Sequence, residues 1–223
     1  MKKWTLIIYA LVACGILYYV EQGVGVTYVI KAGLKGILFI ALPLGYFILY
    51  KKHSFKVFLG LDHISRDTIV KGIVIGVGAF VGMVLLATVF SPMINFSDIR
   101  QELADKLHVT AGTYLAVGMY IIFINSLFEE LFFRGIVFLK LEELGHRKHA
   151  MVFSSVLFGV YHMAMFRTWF PPMLVALCVG GLICVGLLFN WINSQSKTFI
   201  NSWIVHILAD LGIIIIGYKM LYM

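Results

Sequence analysis

Three short runs of this sequence set ionisable side chains among almost wholly apolar neighbours. Asn125-Ser126-Leu127-Phe128-Glu129-Glu130-Leu131-Phe132-Phe133-Arg134 carries two carboxylates and a guanidinium, Phe158-Gly159-Val160-Tyr161-His162 ends on an imidazole, and His206-Ile207-Leu208-Ala209-Asp210 joins an imidazole to a carboxylate. Carboxylates and imidazoles are the groups that move protons near neutral pH. Two histidines with two or three carboxylates are also a set that a zinc ion would accept, with Glu129, His162, His206 and Asp210 as candidate ligands. On a helix, Glu130 and Arg134 share a face at a spacing of four and form a natural ion pair. Glu129 is turned by about 100° from Glu130 and is left without a partner in its own helix.

The elements that must position these groups are membrane-spanning. The composition is 61% hydrophobic and 13% charged, with mean hydropathy +0.95, against about a quarter charged in soluble domains. A spanning helix needs about 20 apolar residues, and seven runs qualify, at about 4–20, 28–50, 68–90, 111–139, 150–166, 172–192 and 199–218. The expected fold is therefore an all-α polytopic bundle forming one integral membrane domain, 1–223, with the motif-bearing half at about 111–218. Between the third and fourth runs, Ile99, Leu103 and Leu107 repeat every four residues among charged neighbours, the pattern of a short amphipathic helix on the membrane surface.

The net charge of +7 does not indicate nucleic acid, because the basic residues gather at the ends of the apolar runs. Eleven Lys and Arg fall in one set of alternate loops, which includes Lys51–Lys56 and Lys140–Lys148, and six in the other, where Lys31 and Lys35 are counted. This favours a cytoplasmic amino terminus in a cell membrane. Leu11-Val12-Ala13-Cys14 is similar to a lipoprotein cleavage box, but the apolar run continues through Val20, as a spanning helix requires and a cleaved signal does not. Cys14, Cys178 and Cys184 lack any paired spacing, so they read as buried, inert thiols.

Each membrane-embedded charge costs about 2.5–3.5 kcal/mol at mid-bilayer. From the cytoplasmic ends of their runs, Glu129 lies about 11 residues deep, His162 about 12 and His206 about 8, or roughly 12–18 Å. Polar contacts that merely hold helices together, at about 0.6 kcal/mol each, would account for any one of these residues. Six at one level point to a shared site instead.

In order, the motifs EExxxR at Glu129-Glu130-xxx-Arg134, FxxxH at Phe158-xxx-His162 and HxxxD at His206-xxx-Asp210 resemble those of the CPBP family of intramembrane proteases. That family includes the type II CaaX prenyl endopeptidases and the bacteriocin-processing and self-immunity proteins. The resemblance covers only the second half of the chain. It implies hydrolysis of a peptide bond in a membrane-associated protein or peptide, with Glu129 as general base, His162 as its partner in activating water, and His206 and Asp210 stabilising the oxyanion. Glu130 and Arg134 would be a structural or orienting pair. An apolar site disfavours the ionised form of a carboxylate, which agrees with a base working near neutral pH. The resemblance allows a metal-free glutamate mechanism, the one favoured here, or a divalent metal such as zinc. HExxH is absent from the sequence.

Asp210 stands where many members have Asn, and three roles stay open for it: protonated donor, orienter of His206, or metal ligand. A proton-coupled transporter would also place Glu, His and Asp at mid-membrane, and a silent scaffold for a membrane partner is a further alternative. Beyond the bilayer and a membrane-associated substrate no partner is indicated, and nothing in the sequence bears on oligomeric state.

Overall fold

The computed structural model describes residues 2–24, 26, 28–51, 56 and 60–222. Seven helices are long and apolar enough to cross a membrane. In chain order the elements are α1 (Lys3–Val24), α2 (Val29–Leu49), α3 (Arg66–Met93), the short α4 (Phe96–Leu107), α5 (Ala111–Glu143), α6 (Arg147–Arg167), α7 (Pro172–Ser196) and α8 (Ile200–Lys219). The protein is an all-α polytopic bundle, as its apolar runs require. Most of the basic Lys51–Lys56 loop, including Ser54, lies outside the described residues.

Several helices outrun their apolar stretches because backbone hydrogen bonding continues into the polar interface until a cap stops it. Ser65 caps α3 by accepting from the Thr68 amide at 3.1 Å, and Thr110 with Thr113 forms a capping box at the start of α5. Lys197, in the left-handed region at φ 57°, ends α7. At this end of the bundle Glu142 receives Lys197 at 3.0 Å, Arg147 at 3.3 Å and the Ser194 hydroxyl, which ties α5, α6 and α7 together.

The second half of α5 is the centre of the bundle: every residue from Leu131 to Leu139 is buried. Phe39 of α2 stacks on Phe132 at 3.8 Å, and Phe158 of α6 meets Phe133 edge-on at 5.3 Å. The turns of α5 are wide, π-helical at Ile121–Asn125 and Leu131–Leu139, with an α-helical step at Ser126–Glu130 between them. Such insertions are rare and often accompany functional sites. Helix α8 lies along α3, and α7 along α6. The α6–α7 approach depends on missing side chains: a Cβ on Gly186 would fall 2.9 Å from Ser155 Cα, and one on Gly159 would fall 2.6 Å from Ile183.

One expectation gains detail and one changes. In α4, Ile99 and Leu103 are buried in a cluster with Val109 and Tyr114, against Trp169, Phe170, Tyr218 and Tyr222. Amphipathic periodicity identifies an apolar face but not its partner, and here the end of the bundle offers aromatic surface. The cysteines differ, since all three are free but only Cys14, inside α1, is buried, while Cys178 is half-buried and Cys184 exposed on α7. An apolar segment in a bilayer can face outward, so hydropathy alone does not report burial.

Candidate active site

Glu129 is buried in the α-helical step of α5, and its two oxygens have different surroundings. Oε1 takes the Lys35 ammonium at 2.5 Å and the Asn125 amide at 3.1 Å. Oε2 receives no hydrogen bond from the described residues. It faces His162 Nε2 at 3.4 Å and His206 Nε2 at 3.9 Å.

His162 sits at a break in α6, between the helical segments Arg147–Tyr161 and Met163–Trp169. Its Nδ1 lies 2.8 Å from the Phe158 carbonyl. A carbonyl only accepts, so Nδ1 carries the hydrogen and Nε2, in a neutral ring, turns a lone pair toward Glu129. The Phe158 ring packs on His162, with centroids 4.6 Å apart. The FxxxH spacing therefore works twice: the residue four back supplies both a ring to pack on and the acceptor that fixes the tautomer.

His206 Nδ1 is 3.0 Å from Glu130 Oε1, so the same reasoning makes it a donor and points Nε2 toward Glu129 and Asp210. Asp210 Oδ2 lies 3.6 Å from that Nε2. The group that orients His206 through Nδ1 is thus Glu130, on another helix, and not Asp210 one turn away. Glu130 also meets Arg134, with Nε 3.4 Å from Oε2 and both side chains fully buried. The Arg134 guanidinium stacks 3.9 Å from the Phe158 ring centroid, and beyond the ion pair none of its nitrogens has a hydrogen-bonding partner among the described residues. All six residues singled out from the sequence thus stand in one cluster, contributed by α5, α6 and α8.

Residues 111–212, somewhat less than half of the chain, match the family model described as type II CAAX prenyl endopeptidase Rce1-like. The motif-bearing segment is thus similar to that family. This agrees with the CPBP resemblance carried by the three motifs and supports, in general terms, an intramembrane endopeptidase of the CAAX type. No curated protein and no solved structure matches the chain. The Rce1-like segment contains every motif residue, but not the whole of the cluster around them, because Lys35 reaches Glu129 from α2.

The residue types would suit zinc. Among the described residues no group of three or more His, Cys, Asp or Glu is placed to hold an ion. Both imidazole Nδ1 atoms are engaged by acceptors, which leaves each Nε2 toward Glu129 Oε2, and the cation on Glu129 Oε1 is the lysine ammonium.

Sequence reasoning missed Lys35 and Asn125. Lys35 lies near the start of its apolar run and so reads as a flanking residue, but it is buried within α2, which leaves the flanking charges at eleven against five. Asn125 had a usable signal, standing four residues before Glu129 on the same face.

Proposed function

We propose that this protein hydrolyses a peptide bond of a membrane-associated protein or peptide, using water activated by Glu129 and His162. The observation that carries this reading is the approach of Glu129 Oε2 to His162 Nε2 at 3.4 Å with no hydrogen bond on Oε2, which with a neutral imidazole sets two acceptors facing each other. A water donating one hydrogen to each atom satisfies both and is held for attack. Its oxygen adds to the scissile carbonyl carbon while its proton passes to Oε2. The tetrahedral intermediate then collapses, the C–N bond breaks, and Glu129 returns the proton to the leaving nitrogen, giving a carboxylic acid and an amine.

The developing oxyanion needs a donor. Glu129 and Glu130 are balanced by Lys35 and Arg134, which leaves His206 and Asp210 as a third pair with one proton between Nε2 and Oδ2. That proton serves the oxyanion, while Glu130 holds the imidazole from behind. The chemistry is read as metal-free, with Lys35 as the fixed cation of the site. Chelators should then leave the rate unchanged, and a loss that zinc restores would overturn this part.

The amino terminus is taken as cytoplasmic and the whole chain as one domain. The test is purified protein in liposomes with a library of membrane-anchored peptides, read by mass spectrometry, with Glu129→Ala as the control. Cleavage that disappears in the control supports the proposal. Solute uptake without cleavage would favour a transporter, and peptide binding without turnover a scaffold; either result would defeat it.

A further inference from the structure

We propose that Lys35 is a positioning residue of this site: with Asn125, it holds one oxygen of Glu129 so that the other is presented to His162 and the attacking water. The inference rests on the endopeptidase reading and extends the machinery to a helix outside the Rce1-like segment.

Lys35 is 5% exposed, well inside an apolar helix. A lysine near a helix end ordinarily turns its ammonium out to the interface, whereas this one is directed inward. Its Nζ donates to Glu129 Oε1 at 2.5 Å and to Asn125 Oδ1 at 2.6 Å, and it lies 5.2 Å from the Tyr161 ring centroid and 5.6 Å from that of Phe39. Asn125 closes a ring of three contacts by donating from Nδ2 to the same Oε1 at 3.1 Å. The amide orientation follows from chemistry, since the ammonium needs an oxygen and the carboxylate needs N–H.

The asymmetry is what separates positioning from simple charge balance. An ammonium would neutralise Glu129 equally well from either oxygen or between them. Here both donors converge on Oε1, and Oε2 is left for His162. With one oxygen pinned from two directions, rotation of the carboxylate about its last bond is restricted, and the reacting atom keeps its place against Nε2. Misplacement of a reacting group by about 1 Å can cost on the order of a hundredfold in rate.

The experiment measures kcat and KM for Lys35→Gln, Lys35→Arg and Asn125→Ala on the peptide that the wild-type chain cleaves fastest, each rate expressed per folded molecule. Lys35→Gln is expected to lower kcat about a hundredfold and Asn125→Ala about tenfold, with KM within about threefold of wild type. Wild-type kcat in folded Lys35→Gln overturns the assignment. If removing the cation prevents folding, Lys35→Arg decides. It keeps the charge, but a guanidinium engages a carboxylate through both oxygens, so Oε2 is occupied and kcat falls at least tenfold in a protein that still folds. A purely structural ion pair would leave Lys35→Arg at wild-type kcat, and that result overturns the proposal. Failure of the wild-type chain to cleave any peptide would sink the endopeptidase reading and this inference together, whereas wild-type cleavage with undiminished Lys35 variants would count against the inference alone.

Discussion

Arg134 and Asp210 occupy the two ends of the buried cluster and answer different questions about it. Arg134 is fully buried, with Glu130 as its ion partner and the Phe158 face as its packing surface. Truncating it leaves the buried Glu130 carboxylate without its cation, and breaking a buried ion pair typically costs about 3–5 kcal/mol. Arg134→Ala should therefore lower the amount of folded protein recovered from membranes, seen as a smaller monodisperse peak and a lower unfolding temperature. A folded Arg134→Ala protein that merely turned over more slowly would move Arg134 from support to chemistry. Asp210→Asn keeps the shape and replaces the shared proton with an amide donor. Activity should stay within about tenfold of wild type, and complete loss in a folded protein would remove Asp210 from the oxyanion site.

At the scale of elements, the site depends on how closely α6 and α7 approach and on where α6 breaks. Gly186 lies against the Ser155 backbone, so Gly186→Val should overpack that contact at a cost of about 1–3 kcal/mol and displace the helix that carries His162. The expected readout is a lower unfolding temperature together with reduced cleavage; an unchanged value for both would show that the α6–α7 spacing is not set there. The motifs were legible because a charge in an apolar helix is conspicuous, and a spacing of four gave the Glu130–Arg134 pair directly. Contacts between helices were not legible in that way. Nothing in spacing announces that Lys35 of α2 reaches Glu129 of α5, or that Glu130 bonds His206 of α8, because the register of two separate helices is set by packing. The same limit explains α4, whose periodicity gave the apolar face but not the aromatic surface it covers.

For the whole molecule, hydropathy was enough to give seven spans, since a bilayer leaves the backbone few other solutions. Burial was harder to read, because helix faces toward lipid and toward protein are both apolar; the exposed Cys184 is one result. Orientation rests on basic residues, and it predicts that Lys148 and Gln101, both exposed, lie on opposite sides of the membrane. In a background lacking native cysteines, Lys148→Cys should react with an impermeant thiol reagent only after permeabilisation, and Gln101→Cys in intact cells. The reverse pattern would invert the topology. Whether Glu129 and His162 act as one unit on one water is decided by a double-mutant cycle on cleavage with Glu129→Gln and His162→Ala. Groups that serve a single step are strongly non-additive, so each single variant should lower kcat/KM by about a thousandfold or more, with the double variant no worse than either. Losses that multiply, or a folded single variant retaining more than about a tenth of wild-type activity, would contradict a single unit.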